Sequence, residues 1–334
     1  MKTLLGASML CFLFYATSNA QSSGYHIVKT FHIASPGGWD YLAINKDKLY
    51  VSHSTQVNIL NKNNGDSIGV IENTQGVHGI AFAENLNKGY ISNGRTNNVT
   101  VFDMKTDKAI TQIATGENPD AIMYDPFSKK IYTCNGRSND LSVIDPATDK
   151  VIKTISLGGK PETAVSDEAG KLYINIEDKS EIAEVDTHLL TLKKHWSIAP
   201  GEEPTGLAFD KKTKRLFAGC DKLLVVSDAA NGKVISKLPI GEGCDGVTFD
   251  ETTKNIFTSN GEGTITVIHE NGANNYKILG NAVSKRGART IALDEKTHKL
   301  YLSTAEFERV AANTDKKERP KMIPGTFQVL VVEK

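Results

Sequence analysis

Apolar and polar positions alternate along this chain in short runs of four to seven residues that are cut by turn residues. Residues 119–160 show the pattern best. Four strands are predicted there, Ala121–Tyr124, Ile131–Asn135, Leu141–Ile144 and Val151–Leu157. Asp125-Pro126, Asn135-Gly136, Asp145-Pro146 and Gly158-Gly159 punctuate them. The same phrase recurs along the chain. Its first strands open at Asp40, His78, Asp120, Glu162, Thr205, Asp245 and Arg289, spaced 38, 42, 42, 43, 40 and 44 residues apart. A four-stranded antiparallel sheet repeated at about 40–45 residues cannot bury both faces alone, so copies must stack in a ring. The expected fold is all-β, a seven-bladed propeller.

The pattern also predicts how the ring closes. Residues 25–33 read as a fourth strand that precedes any first strand, and the chain ends on a third strand, Phe327–Val332. The N-terminal strand should complete the last blade, which removes a sheet edge that would invite aggregation. Residues 21–334 are thus one domain, with an insert at 305–326 in the last blade. That insert is basic from Lys316 to Lys321 and carries Pro320 and Pro324; it reads either as a lid or as a solvated flap.

Second strands open on Tyr50, Tyr90, Tyr132, Tyr173, Phe217, Phe257 and Tyr301, which suits packing between blades. Nine aspartates end first or third strands, at 103, 125, 145, 167, 186, 210, 228, 250 and 294. They are expected to form turns rather than to catalyse, because Asp accepts bonds from backbone amides two residues on.

Residues 1–20 stand outside the repeat. Lys2, the apolar Leu4–Tyr15 and the small Ser18-Asn19-Ala20 read as a secretory signal peptide, too short to span a membrane. Cys11 lies inside the apolar core after a poor lipobox, so lipid attachment is not expected. The mature protein should be periplasmic or secreted, a monomer with no membrane insertion. Removing residues 1–20 takes away one lysine and no acid, leaving a net charge of −1, which excludes a general polyanion binder. Cys134, Cys220 and Cys244 remain, an odd number. Cys220 and Cys244 come near enough in the repeat for a disulfide, or for two buried thiols.

The phrase at 143–161, VIDPATDKVIKTISLGGKP, and the Tyr-Val-Thr-Asn-like strand ends resemble the YVTN-repeat, YncE-like seven-bladed β-propellers. The resemblance covers residues 25–334 and is specific for fold. It implies little about function. Single-stranded DNA binding has been attached to the family's namesake, and related propellers include lactonases and surface-layer proteins. Blades four, five and seven depart from the strand-ending Asn, with Ile176, Cys220 and Thr304.

In a propeller, the entry to each first strand and the exit from each second strand share one face near the central channel. The anchors should therefore form a ring at the channel mouth. Four carboxylates (Asp40, Asp120, Glu162, Asp245), His78 and Arg289 would converge there, with His53, Asn93, Asn135 and Asn260 as a second ring. Crowded like charges raise one another's pKa or recruit a cation. The readings are a water-filled channel, a non-catalytic site for a small polar ligand or protein partner, and a metal-assisted, lactonase-type hydrolase. The last would place Ca²⁺ or another divalent cation on Asp120, Glu162 and Asp245, with His78 as base; otherwise no cofactor is expected. Gly241–Gly246 matches GxGxxG but opens no helix. GxSxG, HExxH and CxxC are absent from the sequence. Single-stranded DNA would need Arg95, Arg137, Arg289 and the insert lysines to gather beside Trp39 and Phe307, against the repulsion of four acids.

Overall fold

The computed structural model describes residues 23–308 and 321–334. Residues 1–20, read above as a signal peptide, and most of the basic insert lie outside the described residues. Seven sheets of four antiparallel strands are present, and each follows chain order except the last. Blade three, for example, runs Pro119–Asp125, Lys130–Asn135, Asp140–Asp145 and Lys150–Ser156. The ends of these strands differ from those read from the sequence by a residue or two; the fourth starts one residue earlier and stops at Ser156 rather than Leu157. In the last blade His26–His32 pairs antiparallel with Gln328–Glu333, Phe31 opposite Val329, so the N-terminal strand closes the ring. No described helix is long and apolar enough to cross a membrane.

Neighbouring residues of one strand serve different blades, which explains the nearly continuous apolar runs of the middle strands. Ile131 and Ile144 pack towards blade two against Tyr90, Val99 and Val101. Their neighbours Tyr132 and Val143 pack towards blade four against Leu172, Ile174 and Ala183. Every second-strand aromatic is buried. Two of them also tie blades together through a turn aspartate of the next blade. The Tyr50 hydroxyl donates to Asp107 (3.1 Å), which also pairs with Lys48, and Tyr90 donates to Asp149 (3.0 Å), which pairs with Lys88.

The nine aspartates are turn formers. Asp103 accepts from the amides of Lys105 and Thr106, Asp186 from His188 and Leu189, and Asp250 from Thr252 and Thr253. The other six do the same with amides two to four residues on. Cys134, Cys220 and Cys244 are buried free thiols. The two ends of the blade-seven insert meet across a short bridge, Phe307 opposite Met322, and Phe307 packs on Trp39.

Candidate functional site

First strands line the channel, and a register break falls where five of the anchors lie. Pairing shifts between Trp39 and Leu42, Val77 and Ile80, Pro119 and Ile122, Pro161 and Ala164, and Cys244 and Gly246. Asp40, His78, Asp120, Glu162 and Asp245 sit inside those breaks. A bulge frees a residue from the ladder and re-aims its side chain, a device common beside functional sites. The main chain of the ring is held from the neighbouring blade. Ser303 and Thr290 donate to the Asp40 carbonyl (3.1 and 2.7 Å), Ser92 to that of Asp120, Ser259 to that of Arg289, and Asn175 to that of Thr205 (3.1 Å).

Six of the seven anchors converge. His78 Nδ1 lies 2.6 Å from Asp40 Oδ2 and 3.7 Å from Asp120 Oδ1. Arg289 reaches Asp245 at 3.1 Å and Asp40 at 4.0 Å. Glu162, 8% exposed, pairs with Lys160 at 2.7 Å. The seventh anchor, Thr205, spends its hydroxyl on the Cys244 carbonyl (2.7 Å). Two ring members escaped the sequence reading. Lys160 bridges Glu162 to Glu177, which sits in a 3-10 turn just past the second strand of blade four. The signal was available: Lys160 and Glu162 flank Pro161 at the strand entrance. Below the ring, Tyr41, Ile80, Ala121, Ile122 and Met123 line a chamber of about 160 Å³.

The second ring does not form. His53, Asn93, Asn135 and Asn260 lie on the expected face but are fully buried within their blades. A buried amide must find partners. Asn93 donates to Asn98 and Thr100, Asn135 to Asp140 and Ser142, and Asn260 to Thr264 and Thr266, all within 3.1 Å. They clamp the loop to the third strand. His53 bonds Ser35 and the Gly37 carbonyl and stacks on Phe327 at 3.9 Å. Trp39, considered above as a stacking platform, is itself stacked on Phe327.

Carboxylates outnumber cations in the ring, and the protons respond. Burial pushes Asp120 up to about 6, with His78 opposing and Asp40 and Asp245 adding. Burial and the Asp120 charge push Glu162 up to about 8 against Lys160. Burial alone would lower His78; its bond to Asp40 and the charges of Asp120, Asp40 and Glu162 raise it to about 9. Tyr41, raised first by burial, feels all four anchor carboxylates.

All three shifts have one sign. Each of these groups binds its proton more tightly folded than unfolded, so stability falls as pH rises through the window from about 4 to about 9. The turn carboxylates Asp145, Asp210, Asp250 and Asp294 are depressed instead, and they withdraw stability only below about pH 4. The melting midpoint should therefore be several degrees higher near pH 5.5 than near pH 9, at roughly 2 °C per kcal/mol. Calorimetry across that range checks it; a midpoint rising towards pH 9 would mean the ring is not proton-loaded.

Asp40, His78 and Asp120 offer ligand atoms that all lie within 4.8 Å of one another, a set that could hold a metal ion. The neighbouring carboxylates hold the His78 imidazole protonated, so a metal must first displace a proton. Neither Glu162 nor Asp245, named for the metal from sequence, belongs to that set.

No protein-family model matches the chain, and no curated protein matches it in sequence. Among solved structures it is similar to a chain of Kuenenia stuttgartiensis hydrazine synthase. The TM-score is 0.71 at 14% identity, over 80% of this chain and 92% of that one. At that identity the likeness shows the propeller fold alone.

Proposed function

We propose that the protein is an exported, non-catalytic binding module that takes a cationic group at the polar mouth of its channel. The group belongs to a small polar ligand or to a side chain of a partner. One observation carries the reading: six anchors from six blades, together with Lys160 and Glu177, converge with carboxylates in excess. Asp120 has no closer ion-pair partner among the described residues than His78 at 3.7 Å, which leaves its acceptors for a guest. Concave sites with convergent polar groups are the usual place for ligands. Export rests on residues 1–20, and the YVTN-like phrasing of 143–161 supports placing the chain among YncE-like propellers.

A metal-assisted hydrolase is the second reading, supported by the Asp40–His78–Asp120 cluster. It is disfavoured by the cost of removing a proton held up to about 9, near 3 kcal/mol at neutral pH.

Thermal melts with putrescine, arginine amide and Ca²⁺ separate the two. The organic cations should raise the midpoint of the wild type and leave an Asp120→Asn/Glu162→Gln variant unmoved. A shift with Ca²⁺ alone, abolished by Asp120→Ala, would transfer the site to the metal reading. Equal shifts in wild type and variant would remove the ligand from the ring.

A further inference from the structure

We propose that Asp210 and Glu270 share one proton across the seam between blades five and six, as a latch that holds while the proton is in place and loosens as the pH rises. The first two seams of the ring are clasped differently. There Lys48 and Lys88, at the start of second strands, reach a turn aspartate of the next blade, and the hydroxyls of Tyr50 and Tyr90 join them. Blade five has Arg215 and Phe217 at those places, so its seam to blade six lacks the tyrosine hydroxyl. Arg215 instead holds the tip of the next hairpin, through the Ala273 carbonyl (2.8 Å) and Asn274 (3.0 Å). That hairpin is long. The third strand of blade six, Thr264–Gly272, runs nine residues, against six in blades one to five. Glu270 lies in the extension.

The donors around the pair do not suffice for two carboxylates. Asp210 ends the first strand of blade five and is 1% exposed; Glu270 is 4% exposed. Both accept from one hydroxyl, that of Thr213, at 2.8 Å for Asp210 and 3.1 Å for Glu270. A hydroxyl has one proton to give. Tyr276 lies 3.4 Å from Glu270 but donates better to the Ala273 carbonyl, at 2.9 Å. The other oxygen of Glu270, Oε2, is buried with no donor among the described residues. Asp210 is better placed, since it also accepts the Lys212 amide at 2.8 Å. An ionised Glu270 would be buried nearly unsatisfied, a costly state. A neutral Glu270 brings the missing donor itself and gives it to Asp210.

The charged and titratable groups turned towards the pair, among the described residues, are Lys254, Arg215 and Tyr276. Lys254 of blade six stands 3.9 Å from Asp210, beyond hydrogen-bond reach, and lies over the Phe249 ring. Arg215 is engaged by the hairpin and by Asp228 at 3.1 Å. Burial holds the Tyr276 phenol neutral. Burial and the bond to Asp210 push Glu270 up to about 7. Burial alone would raise Asp210 as well, but the bonds from Glu270, Thr213 and the Lys212 amide bring it below its ordinary value. Glu270 thus binds its proton more tightly folded than unfolded. Its contribution is complete below about pH 4.5 and is lost as the pH rises through about 7. Two adjoining negative charges then oppose the closure of this seam.

Carboxyl carbon-13 NMR and thermal melts of the mature protein, from about pH 4 to about pH 9, test the latch. Glu270 should titrate near 7 in the wild type. In Asp210→Asn, where the new amide can donate to it, Glu270 should return towards the ordinary value of about 4.3. Glu270→Gln keeps a donor for Asp210 and removes the titration. The ring groups are the same in this variant and the wild type, so the difference between the two melting midpoints isolates the latch. That difference should move several degrees in favour of Glu270→Gln between pH 5 and pH 9. Amide exchange in the 271–275 hairpin, compared at each pH, should quicken in the wild type relative to the variant. A wild-type Glu270 that titrates near 4.3, or a midpoint difference that stays constant across the range, would overturn the proposal.

Discussion

Phe31→Ala should cost the protein about 3–5 kcal/mol, the usual penalty for emptying a buried phenylalanine site. Phe31 is 5% exposed and packs with Leu49, Val51 and Val329 where blades seven and one meet. A chain that begins after residue 33 should do worse. It leaves Gln328–Glu333 with an open edge and removes Tyr25 from its contact with Phe257, whose ring centre is 5.1 Å away. Circular dichroism melts should show a lower midpoint for Phe31→Ala and a broad, aggregation-prone transition for the truncated chain. A truncated chain that melts as sharply and as high as the full protein would show that the N-terminal strand does not close the ring.

Gly206→Ala is expected to be damaging too, though less so, for a reason that no contact of the native residue reveals. A Cβ at Gly206 would stand 2.6 Å from the Val247 amide nitrogen and 2.8 Å from the Gly246 carbonyl carbon. Both are backbone atoms of the next blade's first strand, so no side chain can swing aside. The blades must separate, at a cost of about 1–3 kcal/mol for overpacking. The displacement falls beside Asp245, so the variant should also weaken cation binding at the ring. Urea melts and the putrescine titration read both effects. An unchanged stability would mean that the blades can slide at this contact.

The fold was legible because every blade repeats the same physical problem. Apolar second and third strands, turn aspartates and buried opening aromatics are demanded seven times, so a mistaken strand in one blade is corrected by the other six. The site was legible only in part. The anchors stood out because charged residues at the entrance to an inner strand have no role in an apolar core. The strand-ending asparagines carry the same polarity, yet they turn inwards, because Asn93, Asn135 and Asn260 each find acceptors on the adjacent third strand. A polar residue five positions on (four at Asn260), followed by a Ser or Thr two further, was the available sign. Lys160 was missed, although it flanks Pro161 opposite Glu162, because it enters the ring from the loop before its strand, outside the aligned positions. The five register breaks were invisible, since strand pairing has no mark in the residue types.

The central claim is that the anchors form one crowded, carboxylate-rich mouth, and His78 reports on it directly. Its imidazole should be followed by NMR from about pH 5 to about pH 10, in the wild type and in Asp40→Asn. A titration near pH 9 that drops towards the ordinary histidine range in Asp40→Asn is the predicted result. A wild-type His78 that titrates in the ordinary histidine range, about 6.5, with no response to Asp40→Asn, would contradict the account.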